Sequence, residues 1–569
     1  MRLKASLALL VLIMIAGCTV TPVAPTATPT PTAIPTEVTA EPTPEPTPEP
    51  TPTARTGWWD DAVFYHLFVR SYYDADGDGI GDIAGLIERL DYLNDGDPTT
   101  TDDLGVTALW LMPIMESPSY HGYDALDYYT VERDYGTNAD FQTLIEAAHA
   151  RGMRVIIDLV LNHTSSSHPW FINSSTSESS DYRDWYVWSD EGFGYLGPWG
   201  QQVWYPRGGE WYYAVFWSEM PDLNYENPEV TAEMYEVARF WLEEMNADGF
   251  RLDAVRYLVE EDLANTRPML ASAPSTFEWL QDFREYYVSV APEAMTVGEV
   301  WSDTSEVARY LREGALDMAF EFTLADAIVA SVSRSSAISV RSAMDRVANS
   351  YPEGGYATFL TNHDQDRVMN TFRGDMARAK MAAATYLTLP GTPFIYYGEE
   401  IGMQGRGAHE NIRTPLQWSA EAGAGFTTGR PWYPLNEDYT EINIAAQQAD
   451  SDSLWRYYQQ LIQLRLAHAA LRTGDYTPLD ASDRAVYTFL RTDATAQFLI
   501  VLNYSLDARD GVVLELAAGP LAPGVYAVED LLTGATFPPL TVGEGGAVAE
   551  YAVPDLAGHQ ALLLQLTPQ

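Results

Sequence analysis

Four short segments concentrate ionisable side chains at the ends of apolar runs: Asp158-Leu-Val-Leu-Asn162-His163, Gly249-Phe-Arg251-Leu-Asp253-Ala254, Val297-Gly-Glu299-Val300-Trp301 and Asn362-His363-Asp364. On a strand, Arg251 and Asp253 stand two residues apart and point the same way. A guanidinium beside a carboxylate lowers its pKa and keeps it ionised, as a nucleophile or electrostatic stabiliser requires. A purely structural ion pair would look the same in this segment alone. Glu299 is flanked by Val297, Val300 and Trp301, and apolar surroundings raise a carboxyl pKa toward the range of a general acid. Asp364, next to His363, supplies a third carboxylate, and mutual repulsion favours keeping a proton on Glu299. Paired carboxylates of divergent pKa are the groups that glycoside hydrolysis uses, retaining or inverting according to their separation. Sequence does not give that distance.

Side chains that recur at strand ends, roughly 50 to 100 residues apart, need a scaffold that gathers strand ends on one face. From Trp58 onward, strand-like runs alternate with longer helical patterns, the sign of βα units. Candidate strands are 62–68, 106–112, 153–161, 249–255, 295–300, 317–322, 357–361 and 393–397. Eight strands is the count of a closed (β/α)8 TIM barrel, an α/β fold. The barrel is assigned to 57–163 and 225–472. Residues 164–224 are rich in aromatics and poor in helical periodicity, which predicts an inserted subdomain after the third strand, over the barrel mouth. Residues 473–569 change to short β-like runs broken by Gly and Pro, as in a C-terminal antiparallel β-sandwich.

Residues 1–17 have a basic start and a short apolar run, the pattern of a secretory signal peptide. The run ends in Ile15-Ala16-Gly17-Cys18, similar to a bacterial lipobox, so Cys18 is the expected lipidation site and a lipid anchor to the membrane is the expected partner. The envelope's extracellular face is the expected location. Cys18 is the single cysteine, which excludes an intramolecular disulfide. Residues 18–56 are dominated by Pro, Thr, Ala and Glu, a disordered spacer with polyproline character that could reach roughly 100 Å.

A formal net charge of −47 and a pI near 4.3 oppose nucleic-acid binding and polyanionic substrates, and leave neutral substrates open. Asp74-Ala-Asp76-Gly-Asp78-Gly79-Ile80-Gly-Asp82 places oxygen donors at alternate positions of a tight loop, the spacing of a calcium site formed by Asp74, Asp76, Asp78, the Ile80 carbonyl and Asp82. Gly85 stands where an EF-hand has glutamate, so the loop is not a complete EF-hand.

Taken in order, the four segments closely resemble the conserved regions of the α-amylase family of glycoside hydrolases (family 13). Met220-Pro-Asp-Leu-Asn224 is similar to a fifth region, and Gly391-Thr-Pro393-Phe-Ile-Tyr-Tyr-Gly398-Glu to the segment near the eighth strand. The resemblance covers about 57–472, and it implies a retaining mechanism. Asp253 corresponds to the nucleophile, Glu299 to the acid and base, and Asp364 to the carboxylate that holds ring hydroxyls of the distorted sugar. Arg251 would orient Asp253, Tyr123 would stack on the sugar, and His121, His163 and His363 would bind its hydroxyls. Calcium in the Asp74 loop also fits part of the family. Ala254 stands where α-1,6-specific members often have valine, His121-Gly-Tyr123 is typical of α-amylases, and Met220–Asn224 resembles a pattern intermediate between oligo-1,6-glucosidases and neopullulanases, a feature of some bacterial α-amylases. Tyr257 departs from the histidine that many α-amylases carry there. The expected activity is extracellular cleavage of α-1,4-glucan such as starch and maltodextrin. The alternatives are an exo-acting α-glucosidase, a 4-α-glucanotransferase or a neopullulanase-like enzyme, and a monomer is favoured. A catalytically dead glycan-binding protein is opposed by the presence of all three carboxylates.

Overall fold

The computed structural model describes residues 55–569 apart from 266 and 352–354. The signal peptide, Cys18 and nearly all of the spacer lie outside the described residues.

Eight parallel strands close into a barrel: β1 (Phe64–Leu67), β2 (Ala108–Leu111), β3 (Arg154–Leu159), β4 (Gly249–Leu252), β5 (Met295–Gly298), β6 (Met318–Phe320), β7 (Tyr356–Thr358) and β8 (Thr392–Tyr396). Each falls within one residue of an apolar run that the sequence singles out. Parallel strands covered on both faces read as near-continuous apolar runs, and here nearly every strand residue is buried. Alternation sorts them inside and out. Phe64, Trp110, Ile156, Val297, Phe320, Ala357 and Phe394 fill the barrel interior, while Tyr65, Leu109, Leu111, Ile157, Phe250 and Leu252 pack outward against the helices. The interior is a packed core and not a pore; Phe64 and Phe394 stack there with centroids 4.2 Å apart.

Register brings the chemistry together. Asp158 on β3 pairs directly with Arg251 on β4, and Arg251 with Val297 on β5. Asp253 and Glu299 each lie one residue past the end of their strand, and their N–H groups donate to Leu159 O at 3.3 Å and Leu252 O at 3.0 Å. Backbone pairing therefore continues up to the catalytic-type side chains.

Between β3 and β4 the chain forms a short helix, Pro169–Ser174, and a three-stranded antiparallel sheet of Trp188–Ser189, Trp204–Arg207 and Glu210–Tyr213. Leu223 N–H donates to Asn162 O at 2.9 Å, which ties the end of this insertion to the end of β3. After the barrel, eight strands follow: β9 (Asp475–Ala481), β10 (Val486–Thr492), β11 (Gln497–Asn503), β12 (Val512–Leu516), β13 (Gly524–Asp530), β14 (Thr536–Val542), β15 (Val548–Val553) and β16 (Ala561–Pro568). They form one antiparallel sheet in the order β14-β13-β16-β11-β10-β9-β12-β15, folded around a separate core that includes Leu499, Val501, Leu514 and Tyr526. Buried Arg491 on β10 donates to Thr388 O at 2.8 Å, and Tyr504 OH meets Thr385 Oγ1 at 2.8 Å, which docks this sheet on the barrel.

Candidate active site

Arg251 is almost fully buried and its two terminal nitrogens carry three carboxylates. Nη1 lies 2.8 Å from Asp158 Oδ1 and 2.6 Å from Asp253 Oδ1, and Nη2 lies 2.8 Å from Glu299 Oε2. Three carboxylates on one cation cannot all stay ionised out of water. Burial pushes Glu299 up to about 8 and Asp158 to about 7, against the opposing pull of Arg251. Asp253 is also raised, by burial first and by Asp364 as well, although Arg251 opposes it. The expectation that Arg251 holds Asp253 below the ordinary range is thus reversed, because desolvation outweighs the guanidinium.

Ala254 adopts φ +48°, a left-handed conformation uncommon for a residue with Cβ. That turn follows Asp253 directly, and Ala254 N–H donates to Glu299 Oε2 at 3.1 Å. The strained turn therefore serves both carboxylates.

A second cluster forms around Asp364. Asp364 is held by Arg413 Nη2 at 2.8 Å and lies 3.2 Å from His363 Nε2. Arg413 Nε also donates to His363 O at 2.9 Å. His363 Nε2 meets Tyr123 OH at 2.6 Å, and Tyr123 OH lies 3.0 Å from Asp158 Oδ2. Burial holds His363 well below its ordinary pKa, so it is neutral. The rings of Tyr123 and His363 are 5.5 Å apart and nearly parallel. Tyr123 N–H donates to His121 Nδ1 at 3.1 Å, which places the His121 proton on Nε2 as a donor. His163 is buried and pushed down to about 3, with Nε2 at 3.1 Å from Tyr123 O and Nδ1 at 3.0 Å from Asn162 Oδ1. In this arrangement both its ring nitrogens face protein oxygens, so it braces the Tyr123 backbone.

The structure thus gathers Asp253, Glu299, Asp364, Arg251, His363 and Tyr123, with His121 and His163 joined through Tyr123. It adds two residues: Asp158, which the sequence reading left without a role, and Arg413, which it noted only as the start of Arg413-Thr-Pro-Leu-Gln-Trp418, a segment similar to a loop common in α-glucosidases. Asp158 carries a signal, a lone carboxylate inside an apolar strand; Arg413 lies 49 positions from Asp364, and no local pattern links them.

In the first loop after β1, Asp74, Asp76 and Asp78 each offer a carboxylate oxygen, and these lie within 4.8 Å of one another. Asp74 accepts from Gly77 N at 2.7 Å and Gly79 N at 2.8 Å, and Asp78 from Ile80 N at 2.8 Å. This converging oxygen set suits a hard cation such as calcium. Asp82 lies outside that trio: it caps the following helix through Gly85 N at 2.6 Å and accepts from Ala75 N at 3.0 Å.

Comparison with known proteins agrees with this geometry. Residues 66–474 match the α-amylase catalytic domain. The chain is 38% identical over 450 residues to α-amylase 3 of Dictyoglomus thermophilum, covering 78% of this chain and 85% of that one. The chain belongs to the α-amylase family. It is a glycosidase of that family, and its relatives span more than one specificity. It is 33% identical over 521 residues to an oligo-1,6-glucosidase of Parageobacillus thermoglucosidasius, covering 79% and 90% of the two chains. A crystal structure of an α-amylase from H. orenii superposes with a TM-score of 0.74 at 37% identity, covering 89% of this chain and 99% of that one.

Proposed function

We propose that this α-amylase-family glycosidase hydrolyses α-1,4-glucosidic bonds of starch and maltodextrin with retention of anomeric configuration. The observation that carries the reading is the sharing of Arg251 by Asp253 and Glu299. Neighbouring nitrogens of one planar group keep the two carboxylates close, as direct attack on the sugar favours, whereas inversion needs room for a water between them. Asp253 attacks the anomeric carbon while protonated Glu299 gives its proton to the departing oxygen. Glu299 then takes a proton from water, which displaces Asp253 and releases the sugar. Asp364, Arg413, His363, His121 and Tyr123 surround the sugar bound to Asp253, with His163 bracing Tyr123.

Arg413 favours a second reading, exo-acting α-glucosidase, because it backs Asp364 and would close the pocket beyond that sugar. Product analysis separates the two: starch yields mixed oligomers early under the first reading and glucose alone under the second. NMR of the first products reads the anomer, α for retention of an α-bond, and initial β-anomer refutes it. Loss of hydrolysis in D253N, with its fold intact by circular dichroism, is the further requirement.

The Asp74 loop is proposed to bind calcium in a stabilising role, since its carboxylates bond the loop's own backbone and Thr427 and not Asp253, Glu299 or Asp364. Export and lipidation at Cys18 complete the proposal, and C18S should release the enzyme from the membrane fraction.

A further inference from the structure

In the proposed mechanism Asp364 faces the sugar bound to Asp253, and Arg413 sets how that carboxylate stands. Arg413 is almost fully buried. Its Nε donates to His363 O at 2.9 Å and its Nη2 to Asp364 Oδ1 at 2.8 Å. Nη2 carries a second hydrogen, and His409 Nδ1 lies 3.0 Å away to receive it. Nδ1 is then the acceptor, which leaves the ring proton on Nε2. His409 Nδ1 also stands 3.7 Å from Asp364 Oδ1, so imidazole, guanidinium and carboxylate meet at one point.

His409 opens a single helical turn, His409–Ile412, that leads directly into Arg413. Arg413 N–H donates to His409 O at 3.1 Å, so one residue holds Arg413 by its backbone and by its side chain. Residues four apart on a helical turn are neighbours in any case. This pair differs in using the nitrogen that already carries Asp364. The rest of the loop is tied to the segment that bears Asp364. Gly405 O accepts from Arg367 N–H at 2.9 Å, Gly407 N–H donates to Asp366 Oδ1 at 2.8 Å, and Arg367 Nε donates to Ile412 O at 2.9 Å. Gly405 runs so close to the turn that a Cβ there would stand 2.3 Å from Asn411 O. On this fixed loop the His409 side chain stays 54% exposed, with its polar contacts to Arg413 and Asp364.

A buried guanidinium is costly to leave half-paired. Without an acceptor at Nδ1, the second hydrogen of Nη2 would turn toward water or a sugar hydroxyl, and the fork would rotate away from Asp364 Oδ1. We infer that His409 is a positioning residue: its Nδ1 fixes the Arg413 fork, and the fork holds Asp364 against the sugar bound to Asp253. This rests on the reading in which these groups surround that sugar.

The test uses α-glucosyl fluoride, which needs the sugar on the Asp364 side and has fluoride as its leaving group, beside maltoheptaose. In the purified full chain, H409A should lower kcat/KM about tenfold on both substrates while leaving Tm within about 2 °C. H409N, whose Oδ1 offers an acceptor in place of Nδ1, should return to within about threefold of native enzyme. R413A should lose more, and adding H409A to it should change kcat/KM on the fluoride by less than about twofold, because the second change acts through a group already gone. If R413A does not fold, R413K, which has no fork to orient, takes its place in the cycle. Native kinetics in H409A would overturn the assignment, as would equal losses in H409A and H409N. Losses that multiply in the double variant would also overturn it, since His409 would then act independently of Arg413. Native enzyme that releases fluoride but leaves maltoheptaose intact would overturn the α-1,4-glucan reading, while the coupling read on the fluoride would still decide the role of His409.

Discussion

Arg251 carries Asp158, Asp253 and Glu299 on one guanidinium, so the protonation of each carboxylate depends on the others. Glu299, pushed up to about 8, holds its proton at neutral pH. A raised acid is active while protonated, so kcat/KM on malto-oligosaccharides should fall as pH rises through that value, and fall again at the acid end where Asp253 takes up its proton. E299Q should lose this alkaline limb and lower kcat by about 10²- to 10⁴-fold on sugar leaving groups. A pH profile of native and variant enzymes checks both; an alkaline limb that survives in E299Q would assign it to another group. Asp253 and Glu299 stood out in the sequence as candidate site residues, because an apolar run that ends in a carboxylate is a local pattern. The sign of the Asp253 shift was not, because it depends on how much water the folded site excludes.

At the scale of elements, β4 shows how tightly the scaffold constrains the site. Gly249 has φ +150°, and a Cβ there would stand 2.2 Å from Met295 O on β5. G249A must therefore push β4 from β5, two residues before Arg251. We expect a loss of more than about 2 kcal/mol in denaturant unfolding, together with reduced activity. The Asp74 loop makes a separate prediction. If calcium binds Asp74, Asp76 and Asp78, chelation lowers the Tm of the native chain, added calcium restores it, and D76N blunts both responses. An unchanged Tm once chelation has removed all bound metal would refute the site. The alternating donors of this loop were legible in sequence. The engagement of both Asp82 oxygens by backbone N–H groups appeared only once the following helix was in place.

The whole molecule carries a formal net charge of −47, and self-repulsion among surface carboxylates opposes compactness. Raising NaCl from low levels to about 0.15 M shortens the screening length to about 8 Å and should raise Tm by several degrees. A flat or falling Tm would show that local ion pairs already compensate the repulsion. The eight βα units, the inserted and C-terminal regions, and the residue types at the strand ends are all legible in the sequence. These follow from periodicity, apolar runs and local motifs, which are properties of neighbours along the chain. Folding alone brings Arg413 to Asp364, Asp158 to Arg251 and Trp199 beside Tyr257. Those pairings join residues far apart in sequence, and barrel closure and strand register select them together with the desolvation that tunes their charges.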